Sequence, residues 1–199
     1  TLYDLEITIL KSTLQKKRKQ KLENCNLCLI TAPQKGLPKI VAKALKSGLK
    51  MLQYRCKEGT DFERLMEAKE LAALCKEHEA LFIINDRVDL ALAVDADGVH
   101  LGQADIPTDV ARHLLGPEKL IGRSTHSLQE LKKAEDEGCN YLGVGPTYST
   151  QTKPNLKPAG ISYLKEAFKA TQLPLFAIGG INLSNLNEVL SSGATRIAV

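Results

Sequence analysis

Two acidic residues, Asp86 and Asp105, and three basic ones, Arg55, Lys57 and Lys153, are the side chains in this sequence whose types could act together. A pair of carboxylates brought to one place suits magnesium, which takes one or two carboxylates and completes its coordination with phosphate oxygens and water. Arginine adds a forked donor and lysine a point charge, a combination that favours a polyanion such as pyrophosphate. Gln53-x-Arg55-x-Lys57 alternates as an extended strand would, which aims the three side chains one way. Plainer readings exist for each group: a solvated strand exit for the Gln-Arg-Lys set, and a helix cap and a turn residue for the two aspartates.

These residues can meet only if the chain between them delivers them to one face. Asp86 ends the apolar run of LFIIND, and Asp105 follows the second apolar run, which closes in HLGQ. Around this strand-helix-strand unit the pattern is regular from residue 26 onward. Short apolar runs predict strands over 27–31, 51–55, 81–85, 98–101, 120–124, 141–145, 174–178 and 195–199. Helical spacing predicts helices over 38–46, 61–77, 88–94, 107–115, 128–137, 161–170 and 183–191. Such alternation gives a parallel sheet, and eight strands close naturally into a (β/α)8 TIM barrel. The competitor is an open doubly wound sheet, against which stands the absence of GxGxxG after the first strand.

In a barrel the chemistry belongs to the loops after the strands. Those loops offer Gln53, Arg55 and Lys57; Asn85 and Asp86; His100, Gln103 and Asp105; Ser124, Thr125 and His126; the stretch 147–153 with Thr150, Thr152 and Lys153; and Gly179-Gly180. The opposite rim carries Gly48, Glu77, Asp97, Gly138 and Pro174, which read as turn and solvation residues. The loop 145–160 is long and lacks periodicity, and its hydroxyls beside Lys153 fit a lid over phosphate as an alternative to disorder. Gly179-Gly180 would let a ligand approach backbone amides, although a tight turn also explains the pair.

Composition narrows the classes. With 43% hydrophobic and 25% charged residues in 199, the chain is an ordinary globular domain, and no apolar run approaches a membrane span. The net charge of +4 owes much to the run Lys16, Lys17, Arg18, Lys19 and Lys21. Aromatic residues are 5% with no tryptophan, so stacking platforms for nucleic acid are lacking. Five cysteines and no signal pattern point to a reducing setting, the cytoplasm or an organelle interior, and Cys25-x-x-Cys28 has no second pair or nearby histidine to make a metal site. Residues 1–24 predict an amphipathic helix leading into a basic surface linker, or the trailing helix of an upstream segment; residues 25–199 form the barrel domain. The chain opens on Thr1 and stops within an expected strand, so a fragment of a longer polypeptide, lacking the last barrel helix, is expected.

The stretches QYRCK, INDRVDLALAVDADGVHLGQAD, IGRSTHS, YLGVGPTYSTQTK and FAIGGI together resemble the thiamine-phosphate synthase family from about residue 26 onward, and the basic helix before NLCLITAP resembles its N-terminally extended cyanobacterial form. NDR with HLGQ-x-D is the specific combination; AIGGI recurs in many phosphate-binding barrels. The resemblance implies a transferase joining a pyrimidine pyrophosphate to a thiazole phosphate, with thiamine phosphate and pyrophosphate as products. It implies further that Gln53 orients the pyrimidine, that Arg55, Lys57, Asn85, Ser124 and Lys153 contact pyrophosphate, that Asp86 and Asp105 hold magnesium, and that Thr150, Thr152 and Gly180 contact the thiazole phosphate. The family's remaining phosphate contacts follow the eighth strand, beyond the end of this sequence. Two rivals share the barrel: a thiazole tautomerase, whose relatives tend to lack the two aspartates, and a non-catalytic phosphate-ligand binder. The sequence leaves the oligomeric state open.

Overall fold

A computed structural model describes residues 2–150 and 157–199 and forms a closed barrel of parallel strands. The order around the ring is the order along the chain: β1 (Leu27–Ile30), β2 (Met51–Tyr54), β3 (Leu81–Asn85), β4 (Gly98–Leu101), β5 (Leu120–Thr125), β6 (Tyr141–Val144), β7 (Leu175–Ile178) and β8 (Ile197–Ala198). Pairing of β8 with β1 closes the ring, which rules out the open doubly wound sheet. The helices are α1 (Leu2–Glu23), α2 (Leu37–Lys46), α3 (Asp61–Glu77), α4 (Val88–Ala93), α5 (Thr108–Leu115), α6 (Leu128–Asp136), α7 (Gly160–Ala170) and α8 (Leu186–Ser191).

The strands read as nearly continuous apolar runs because both their faces are covered. Alternate residues divide between two cores. Cys28, Met51, Leu81, Ile83, Leu120, Tyr141 and Phe176 fill the barrel interior. Leu52, Phe82, Ile84, Val99, Ile121, Leu142 and Ala177 face outward against the apolar stripes of the helices, such as Val41 and Leu45 of α2 and Ala68, Leu71 and Cys75 of α3. Helix starts are set locally. Thr60 and Glu63 form a reciprocal capping box before α3, and the Ser127 hydroxyl accepts from the Glu130 amide before α6. The expected helix over 183–191 begins later, at Leu186. Asn182, Ser184 and Asn185 bond one another's backbone and side chains there, which offers the chain a turn in place of a first helical turn.

The N-terminal segment and the opposite rim each differ from expectation at one point. The basic run is no linker: Lys, Gln and Leu are strong helix formers, and α1 continues through them to Glu23. Its docking face is not the apolar spacing near the start, for Leu2, Tyr3, Leu5, Ile9 and Leu10 are exposed. The buried contacts are Arg18 and Leu22. Leu22 and Cys25 enter the interior core and stopper the bottom of the barrel. The Arg18 guanidinium pairs with Asp97 at 2.8 Å and donates to the Glu118 carbonyl, so Asp97 is a docking socket and not a solvation residue. The other Asp97 oxygen accepts from the Phe82 amide at the start of β3. Burial raises the Cys25 thiol to about 11 and raises Cys28 as well, so this pair packs as apolar side chains. Among the described residues no helix is long and apolar enough to cross a membrane.

Candidate active site

At the carboxyl-terminal rim a cavity of about 340 Å³ opens between the strand exits. Gln53, Arg55, Asn85, Ser124, Thr150 and Gly180 line it, which brings together six of the residues singled out in the sequence. Gln53, inward-facing and buried on β2, donates to the Asn85 side-chain oxygen at 2.8 Å and ties together the exits of β2 and β3. Arg55 lies just past β2, not on it. The strand alternation that would aim Gln53, Arg55 and Lys57 together therefore ends before Arg55. A contact missed in the sequence holds that residue: the Thr31 hydroxyl, at the exit of β1, accepts from the Arg55 amide at 2.8 Å and donates to its carbonyl at 3.2 Å. A threonine after an apolar run carries no signal of that task.

Asp86, Asp105 and Lys57 stand together beside the cavity. The Asp105 carboxyl lies close enough to Asp86 to act on its charge. The Lys57 ammonium is 3.5 Å from Asp86 but largely exposed. Burial first, and then the Asp105 carboxyl, push Asp86 above the usual carboxylate range, against the pull of Lys57. Asp105 is steadied by accepting from the Gly102 backbone amide at 2.6 Å, and the Gln103 side-chain Nε2 donates to the Ser124 carbonyl at 2.6 Å, so the turn after β4 is tied to β5. Asp86 itself has φ of 65°, a left-handed conformation that few residues other than Gly, Asn and Asp accept. It is thus no ordinary helix cap: the cap position of α4 is Arg87.

The far side of the cavity is built from β6 and β7. The Thr147 and Tyr148 amides bond the Ile178 and Gly179 carbonyls, which fastens the start of the long loop to the Gly-Gly turn. Gly180 has φ of 66°, and a side chain there would press on Tyr148 and the Ser149 carbonyl. Thr152 and Lys153 lie outside the described residues, so their expected contacts have no structural counterpart here. His126 lines the cavity and is held at both its amide and Nδ1 by Glu130. His100 also lines it but is buried, with Nε2 at 3.0 Å from the Ser124 hydroxyl and Nδ1 at 3.2 Å from the Tyr141 hydroxyl. Tyr141 is a second residue with no signal in the sequence, where it reads as an apolar strand position. Among the described residues no group of three or more His, Cys, Asp or Glu forms a metal cluster; the paired aspartates are the concentration of hard oxygen donors at this rim.

Residues 27–199 match the family model described as thiamine monophosphate synthase. The chain belongs to this family. Among its relatives, the thiamine-phosphate synthase of Prochlorococcus marinus strain MIT 9303 is 62% identical over 203 residues, covering 100% of this chain and 58% of that protein. The thiamine-phosphate synthase of a Synechocystis strain is 53% identical, covering 99% of this chain and 56% of that protein. This member of the thiamine monophosphate synthase family therefore spans less than two thirds of the length of those relatives. A thiamine phosphate pyrophosphorylase structure from Pyrococcus furiosus superposes with a TM-score of 0.82 at 40% identity, over 91% of this chain and 86% of that one.

Proposed function

We propose that this barrel couples 4-amino-2-methyl-5-hydroxymethylpyrimidine pyrophosphate to a thiazole phosphate, giving thiamine phosphate and pyrophosphate. The observation that carries the reading is the pair Asp86 and Asp105, neighbouring carboxyls with the Lys57 ammonium 3.5 Å from Asp86, next to a cavity that Arg55 and Asn85 line. Two neighbouring carboxylates, one of them pushed toward its neutral form by burial and by the other, make a poor resting arrangement for a protein alone. A hard divalent cation relieves both terms, and these donors fit magnesium. When bound, magnesium supplies positive charge to a pyrophosphate group.

In the proposed chemistry the bond between the pyrimidine methylene carbon and the bridging oxygen breaks, and pyrophosphate leaves with the electron pair. The thiazole nitrogen then donates its lone pair to the methylene cation and forms the new C–N bond. No strong base is required. Arg55 and Lys57, with Lys153 from the long loop, neutralise the departing anion, while Asn85 and Ser124 donate to its oxygens. Gln53, held by Asn85, orients the pyrimidine. Thr150 and Thr152 hold the thiazole phosphate with the amide of Gly180, which keeps the nucleophile over the cation. Positioning and charge carry the catalysis.

The carboxylate pair also weighs against a tautomerase, which needs a proton-transfer residue and has no use for a cation site, and against a simple phosphate binder. Small-molecule substrates suffice for this reading, with no nucleic acid or membrane involved. Five free cysteines, all buried or half-buried, suit a cytoplasmic setting. Calorimetry with inorganic pyrophosphate and magnesium tests the assignment. The parent protein is expected to bind pyrophosphate tightly only with magnesium, Asp86→Ala and Asp105→Ala to lose that dependence, and Lys153→Ala to bind more weakly with the fold intact. Magnesium-independent binding, unchanged in the aspartate variants, would overturn it.

A further inference from the structure

From the barrel core to the cavity lining, three residues on the consecutive strands β4, β5 and β6, namely Tyr141, His100 and Ser124, form a chain of hydrogen bonds. His100 on β4 pairs in register with Gly122 on β5, and Gly122 pairs with Tyr141 on β6. A side chain at Gly122 would overlap the Tyr141 ring, so the missing side chain on the middle strand is what lets the two rings meet across it. Their centroids are 5.5 Å apart. Gly143, beside Ser124 in register, leaves the imidazole similarly close: a Cβ there would stand 3.2 Å from the His100 ring. The Tyr141 ring also meets Phe176 edge-on.

We infer that Tyr141 is a positioning residue which, through His100, sets the direction in which the Ser124 hydroxyl donates. The Tyr141 hydroxyl is buried, and among the described residues its hydrogen-bond partner is His100 Nδ1. A buried phenol that only accepted from this nitrogen would leave its own hydrogen without an acceptor, a cost avoided if it donates. Burial holds the phenol well above its usual pKa, so the hydrogen is always present to be donated. With Nδ1 occupied as an acceptor, the neutral imidazole carries its proton on Nε2 and donates it to the Ser124 oxygen, 3.0 Å away. The hydroxyl hydrogen of Ser124 is then turned outward, as a donor to whatever anion occupies the cavity. If Nδ1 carried the proton instead, Ser124 would donate inward to Nε2 and present only lone pairs to the anion. One phenolic hydrogen thus decides whether Ser124 attracts or repels an anionic oxygen.

The catalytic consequence rests on the pyrophosphate reading above, whereas the tautomer does not, and the experiment separates them. Protein labelled with 15N-histidine is examined by long-range proton–nitrogen correlation, with His100 assigned by its loss in His100→Gln. The inference requires the Nε2–H tautomer in the parent protein and a displaced Nδ1 resonance in Tyr141→Phe, which keeps the ring. An Nδ1–H tautomer or an imidazolium in the parent, or His100 resonances unmoved by Tyr141→Phe, overturns it. In the coupling assay Tyr141→Phe is expected to lower kcat about tenfold, the scale of one misdirected hydrogen bond, and to do little more once Ser124→Ala is present. Additive losses would mean that Tyr141 acts only on the fold. Should the parent protein couple nothing, the functional reading falls while the resonances still decide the relay.

Discussion

Asp86 is held away from its preferred state in two respects, a left-handed backbone and a carboxyl pushed up by burial and by Asp105. Each is a local cost that clusters at functional positions, and the second has a sign that can be measured. A carboxyl whose folded-state pKa lies above its unfolded value, about 3.9 for aspartate, destabilises the fold once pH passes that unfolded value. The cost grows until the raised value is passed and is absent in stronger acid. Asp86→Asn keeps a side chain tolerant of φ at 65° and removes the charge. Without metal it is therefore expected to melt higher than the parent at neutral pH, with the difference closing as pH falls through the aspartate range; melting curves across pH check this. Asp86 and Asp105 were legible in the sequence because they end apolar runs that must finish on one face. Thr31 and Tyr141 were not, since what matters in each is a hydroxyl partner on another strand, and strand pairing brings those partners together without leaving a spacing in the sequence.

At the scale of elements, α1 joins the barrel through its polar end. Its basic run looked like a linker because exposed lysines surround Arg18, and nothing local distinguishes the one cation that meets Asp97 on the far side of the chain. The strands and most helices were readable to within a residue or two, since both-face burial and helical spacing are local properties. The docking of α1 depends on a contact between residues 79 positions apart. Arg18→Ala leaves the Asp97 carboxylate half-buried without its cation and is expected to cost about 2 kcal/mol. Leu22→Ala opens a void at the barrel bottom and is expected to cost about 3 kcal/mol. Denaturant titration measures both. Neither residue touches the cavity, so pyrophosphate binding should survive each substitution wherever the protein remains folded.

Across the whole molecule the two ends of the barrel have separate tasks. The bottom is sealed by Leu22, Cys25 and the Arg18 contact, and the top gathers Gln53, Arg55, Asn85, Ser124, Thr150 and Gly180 around one cavity with the aspartate pair beside it. Stability and chemistry can then change independently, as barrels of this kind permit. The proposed coupling requires that the upper rim join two substrates, and neither rearrange nor merely hold one. Its most direct test is to incubate the protein with the pyrimidine pyrophosphate, the thiazole phosphate and magnesium, and to identify the products. Thiamine phosphate and pyrophosphate in equal amounts, lost without magnesium and in Asp86→Ala, is the predicted result. Unconsumed pyrimidine pyrophosphate beside a tautomerised thiazole would contradict it.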